Sequence, residues 1–177
     1  MSRHLENLSI STRLYDHLQT SGDATARNIQ ARSKELNSST YPLFFHVGPD
    51  RTQATLTACG GTAVPLEEAE LIICTGLFND EKDQLADYEN LLLEAAKHEQ
   101  LMICANPDRV VKRGDKTIIC AGSLALRYEE LGGKVSYIGK PYPDVFHQVI
   151  NRFPTIPNSR TVMIGDSLHT DIEGAKI

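Results

Sequence analysis

Three short apolar runs of one shape constrain the fold more than anything else in the chain: LIICTG at 71–76, LMICAN at 101–106 and TIICAG at 117–122. Each is rich in aliphatic and β-branched residues and ends in Cys, a small residue, then Gly or Asn, the pattern of a buried strand breaking into a loop. Between the first two, NDEKDQLADYENLLLEAAKHEQ sets Leu85, Tyr88, Leu91, Leu92, Ala95 and Ala96 at helical spacing behind acidic first turns. Strand, helix and strand in so short a stretch predict a βαβ unit with a parallel pair.

The same reading extends in both directions. PLFFHVGPD at 42–50 predicts a strand ending at a Gly-Pro turn, preceded by a helix from about Asp23 to Leu36, so that 23–130 forms a small α/β layer. KVSYIGKPYP predicts a strand followed by a proline-rich helix start, and DVFHQVINRF carries Val145, Phe146, Val149, Ile150 and Phe153 on one face. SRTVMIGDS at 159–167 predicts a buried strand ending at Gly165, and Thr170 with Glu173 has the capping-box spacing that starts a helix. That helix has hardly begun when the chain stops at Ile177, and LENLSISTRLYDHLQTSG opens in mid-pattern, so the chain is expected to be a piece of a longer protein at both ends.

Composition narrows the function classes. The 177 residues allow one ordinary domain or two small ones, and 41% apolar with 23% charged residues is globular composition. A net charge of −5 without any Lys/Arg-rich run argues against a nucleic-acid partner. No apolar run approaches the roughly 20 residues of a membrane span, and the N-terminus has no signal-peptide core, so no membrane partner and a soluble, cytoplasmic chain are expected. Cys59, Cys74, Cys104 and Cys120 contain no C-x-x-C pair and are expected to be buried, reduced thiols.

The strongest local constellation is Gly165-Asp166-Ser167-Leu168-His169-Thr170-Asp171. It puts two carboxylates just past a strand's carboxyl end, where open α/β sheets hold ligands, and Asp166 with Asp171 suits a hard cation such as Mg²⁺. The plainer alternative has Asp166 making a turn and Asp171 favouring the helix dipole. Lys140, in Gly139-Lys140-Pro141, precedes a helix that leads into the next predicted strand, so topology brings it to the same sheet edge as Asp166. An ammonium beside a cation-binding carboxylate is what a phosphoryl group needs, although a solvated lysine is the usual fate of that residue. A P-loop fails, because Lys140 is followed by Pro141, which has no hydroxyl; a dinucleotide fingerprint fails for want of G-x-G-x-x-G.

GKP at 139–141, GDSLHTD at 165–171, CANPD at 104–108 and LYDHLQTSGDAT at 14–25 together resemble the haloacid-dehalogenase-like phosphatases that carry a large α/β cap, the predicted sugar-phosphatase group. The resemblance implies an α/β fold: a partial Rossmann-like core with a large inserted cap, residues 1–25 being a core remnant, 26–135 the cap and 136–177 the C-terminal part of the core. It implies Mg²⁺-dependent hydrolysis of a small phosphomonoester such as a sugar phosphate. Lys140 would match the catalytic, phosphoryl-steadying lysine, Asp166 the metal-binding acid and Asp171 its support. Asn106 and Asp108, in the Asn106-Pro107-Asp108 turn, would match a substrate-facing loop, or else the turn merely ends a strand. His169 is expected to be solvated.

One departure stands out. The family forms an aspartyl-phosphate on the first Asp of a D-x-D motif, and no D-x-D occurs in this sequence. The chain alone is therefore expected to hydrolyse phosphate esters poorly or not at all. A non-catalytic binding or regulatory module of the same fold is the alternative; a receiver domain is disfavoured, because its acids precede its lysine. An unpaired sheet edge would favour homo-oligomers or aggregation.

Overall fold

The computed structural model describes residues 2–35 and 42–176; Leu36, the expected last residue of the first long helix, lies outside the described residues. In chain order the elements are α1 (Ser2–Asn7), α2 (Ser21–Glu35), β1 (Leu43–Val47), α3 (Gln53–Cys59), β2 (Thr62–Ala63), β3 (Leu71–Cys74), α4 (Glu89–Lys97), β4 (Leu101–Cys104), β5 (Val110–Arg113), β6 (Lys116–Ile119), α5 (Ala121–Glu130), β7 (Lys134–Tyr137) and α6 (Pro143–Ile150). Five strands form one parallel sheet in the order β2-β1-β3-β4-β7, with Val47 opposite Cys74, Cys74 opposite Cys104 and Cys104 opposite Tyr137. The predicted β3-α4-β4 unit is present as a parallel pair.

Two-residue alternation explains the layers. Ile72, Cys74, Met102 and Cys104 pack with Leu92 of α4 and Leu124, Ala125 and Tyr128 of α5. Ile73 meets Ile29 of α2 and Leu56 and Cys59 of α3 on the other face, and Ile103 meets Ala24 and Ile138. A parallel sheet covered on both faces needs apolar residues at every position, which is why its strands read as continuous runs. The expected domain boundaries at 25/26 and 135/136 fall inside α2 and β7. Among the described residues no helix is long and apolar enough to cross a membrane.

Three expectations need correction. TIICAG is not a strand of the main sheet: Lys116–Ile119 pairs antiparallel with Val110–Arg113 in a separate hairpin, where only Ile118 is buried, and a helix starts at Ala121. That helix was legible in the spacing of Leu124, Tyr128 and Leu131, all packed in the core. The run within 159–167 is not a strand, because no neighbouring strand pairs with it among the described residues, and Val162 and Ile164 stand 80% and 89% exposed. Thr170 does not cap a helix: it lies inside a π-helical turn, Leu168–Ile172, preceded by Ser167.

Candidate functional site

Because β4 and β7 are parallel neighbours in register, the loops leaving their carboxyl ends start side by side. The ladder runs one residue past each strand, with the Ala105 amide donating to the Cys74 carbonyl and the Ile138 amide to the Cys104 carbonyl, both at 2.8 Å. The chain then breaks into Asn106-Pro107-Asp108 on one side and Gly139-Lys140 on the other. Gly139 has φ +134, and a Cβ there would stand 2.7 Å from the Pro107 ring and 3.4 Å from Ser21 Cβ, so only glycine lets the two loops and the start of α2 close together. The Asn106 Oδ1 accepts from the Asp108 amide at 3.3 Å, an Asx turn that fixes the loop.

These loops enclose a cleft of about 280 Å³ whose lining includes Gln19, Ser21, Asn106, Asp108, Gly139 and Lys140. The three residues expected to contact substrate, Asn106, Asp108 and Lys140, thus line one cleft. Gln19 and Ser21 were missed by sequence reasoning; Ser21 opens α2, and the Gln19 amide is tied to Gln148 of α6 at 3.2 Å. A second, mostly apolar hollow of about 340 Å³ opens between α6 and residues 158–163, and Lys140 borders both.

Lys140 donates to Asp171 Oδ1 rather than to Asp166. The Lys140 side chain is 48% exposed and that of Asp171 only 4%. The other oxygen, Asp171 Oδ2, accepts from the Ser167 amide at 3.3 Å. Gly165 makes room for this arrangement, since a Cβ there would stand 2.3 Å from Asp171 Cβ. The Lys140 hydrogen bond holds the Asp171 carboxyl below the usual aspartate range; burial opposes that, and the Ser167 amide assists.

Each oxygen of Asp171 therefore already accepts a hydrogen bond from within the protein. Asp166 is exposed and its carboxylate has no hydrogen-bond or ion-pair partner among the described residues. Among those residues no group of three or more His, Cys, Asp or Glu could hold a metal ion. A hard cation bound through one carboxylate, waters and a ligand's phosphate oxygens is compatible with Asp166 alone. His169 is exposed, as expected.

The comparisons bear on this arrangement. A family model described as HAD-hydrolase-like matches residues 137–176, the segment holding Lys140, Asp166 and Asp171. A haloacid-dehalogenase-like hydrolase from Brucella suis 1330 shares 33% identity over 94% of this chain, with a TM-score of 0.80. The chain is similar to the haloacid-dehalogenase-like hydrolases, in its C-terminal segment by sequence and in its fold as a whole. Two further solved structures share its fold at lower identity: a p-nitrophenyl phosphatase from Archaeoglobus fulgidus (20% identity, 99% of this chain, TM-score 0.72) and a glycerol phosphate phosphatase from Mycobacterium tuberculosis in complex with calcium (19%, 99%, 0.70). The chain spans 63%, 66% and 49% of those three structures. No curated protein matches it in sequence.

Proposed function

We propose that the chain supplies the phosphate-holding part of a hydrolase acting on a small phosphomonoester, a sugar phosphate or similar polyol phosphate. The observation that carries the reading is the position of Lys140, pinned by a buried carboxylate at the mouth of a cleft it shares with Asn106 and Asp108. An ammonium has three donors, and Asp171 takes one, so the remaining two are free for phosphoryl oxygens. With its Oδ1 taken by the Asp108 amide, Asn106 keeps its side-chain N–H for a ligand, and the Asp108 carboxylate would accept from a hydroxyl, a pairing that suits a hydroxylated leaving group. Asp166 is the residue that would hold Mg²⁺, with Asp171 behind it; such an ion supplies positive charge against the developing charge on phosphate oxygens.

In this reading 26–135 is the cap and 1–25 with 136–177 belong to the core. Four unpaired, buried cysteines favour a reducing compartment, and we place the protein in the cytoplasm. Exposed Val162 and Ile164 favour pairing between copies. Because the chain contains no D-x-D, we propose that it binds phosphate esters without turning them over by an aspartyl-phosphate route. The test has two arms. Inorganic phosphate titrated into the chain should perturb the signals of Lys140 and Gly139, with at least tenfold weaker binding in Lys140→Met; equal binding by the variant overturns the site. A chromogenic phosphomonoester with Mg²⁺ should show no turnover above buffer, and magnesium-dependent turnover overturns the inactivity. A second reading, a module that only binds such esters, is favoured by the absence of a D-x-D nucleophile from the sequence; hydrolysis by the protein's full open reading frame would exclude it.

A further inference from the structure

Asp80 lies in the loop after β3, and its side chain is only 7% exposed although it is charged. Two guanidinium groups meet it: Arg51 Nη2 at 2.5 Å, from the short turn Asp50–Thr52 that follows β1, and Arg113 Nη2 at 3.5 Å, from the last residue of β5. Arg113 also reaches Glu81 Oε1 at 3.9 Å. One buried carboxylate therefore joins the loops that leave the carboxyl ends of β1 and β3 to the tip of the β5-β6 hairpin. The Asp80 loop is itself held: the Asn79 amide donates to Asp83 at 2.9 Å, and the Tyr88 hydroxyl donates to the same carboxylate at 2.7 Å.

The hairpin grows directly out of the substrate-side turn. At its root the Asp108 carbonyl accepts from the Gly122 amide at 3.0 Å, and the Arg109 carbonyl accepts from the Cys120 amide and the Ser123 hydroxyl, both at 2.8 Å. Between root and tip two four-residue strands bury only Ile118. Such a two-stranded ribbon is not stable by itself, so its position depends on what holds its far end.

The geometry points to Asp80 as a positioning residue: through Arg113 it clamps the tip of the hairpin, and through the hairpin it presets the Asn106-Pro107-Asp108 turn that faces the leaving group of a bound ester. Asp80 touches no ligand. The inference rests on the reading of the cleft given above, and it divides recognition in two, with Lys140 holding the phosphate and the clamped turn grading what is attached to it.

The test uses the whole chain and two probes, inorganic phosphate and glycerol 3-phosphate. Arg113→Met leaves the Asp80–Arg51 pair intact and frees the tip. Amides 110–119 and those of Asn106 and Asp108 should then exchange at least tenfold faster, with β1, β3 and β4 amides unchanged. Glycerol 3-phosphate should lose several-fold more affinity than phosphate does. Asp80→Asn should reproduce both effects, Asp80→Glu should restore protection in part, and Arg51→Met should leave the hairpin protected. Unchanged hairpin exchange in Arg113→Met overturns the clamp; faster exchange with equal loss for both probes overturns the positioning role. If the native chain binds neither probe, the phosphate-site reading fails, and the exchange arm still decides the clamp.

Discussion

Lys140 makes its ion pair with Asp171 and leaves Asp166, five residues earlier in the same segment, facing solvent. The pair ties the β7–α6 loop to the last described turn of the chain, so it is a structural bond as well as a feature of the site. Replacing Lys140 by Met strands a buried carboxylate and should lower stability by about 1–3 kcal/mol. Asp171→Asn keeps an acceptor for the Ser167 amide and should cost less. Denaturant midpoints of the two variants check this; an unshifted midpoint for Lys140→Met would show the pair to be dispensable.

The same pair sets a pH dependence whose sign is fixed. The folded carboxyl of Asp171 titrates below its unfolded value because Lys140 donates to it. Its contribution is therefore complete above the unfolded aspartate range and is lost as pH falls through the lower, folded value. The stability difference between native protein and Asp171→Asn should be constant near neutrality and shrink in acid below the ordinary aspartate range. A difference independent of pH contradicts the assignment.

Gly122→Ala should disturb the cleft from behind. A Cβ there would stand 2.1 Å from the Pro107 carbonyl oxygen, a backbone atom that cannot swing aside. Forcing the turn off α5 should cost about 1–3 kcal/mol and shift the amide signals of Asn106 and Asp108 more than any in β3. Signals unmoved in that turn would refute the contact.

The four thiols should be inert in the folded state. Burial pushes Cys59 up to about 11 and Cys104 up to about 12, and Cys74 well above its ordinary value. Iodoacetamide at neutral pH should leave the folded chain unmodified for as long as it takes to alkylate the chain fully in denaturant, as read by intact mass. Rapid modification without denaturant would show one thiol to be accessible.

Exposure separates two kinds of aliphatic residue. Val162→Thr and Ile164→Thr should change stability by no more than about 0.5 kcal/mol, whereas Ile73→Ala or Ile103→Ala, at fully buried positions, should cost about 2–5 kcal/mol. Thermal unfolding of the four variants distinguishes the groups.

Much of the sheet was legible because strands buried on both faces cannot hide: LIIC and LMIC are apolar at every position. The same reasoning misplaced TIIC and TVMI for one physical cause. An apolar run announces a preference for burial, and whether a partner lies beside it is a property of the rest of the fold. Ile118 found a core to enter, while Val162 and Ile164 did not. At the site, the expectation that Lys140 and Asp166 share a sheet edge rested on a strand at 159–167 that does not form; Lys140 pairs with Asp171 instead, through a π-helical turn and the bare backbone at Gly165, and neither leaves a mark in spacing. Gln19 and Ser21 carried no motif; they enter the cleft because α2 packs against α6 and Gly139.

The cleft takes its walls from residues near 20, near 107 and near 140, three stations that meet only when the whole sheet is assembled. No excised peptide can reproduce it, and a molecule that seats there recognises the finished architecture alone. Any such molecule must act as a thermal protectant, its effect growing with the logarithm of its concentration. A library of phosphorylated metabolites ranked by that protection would read out recognition without a single catalytic turnover.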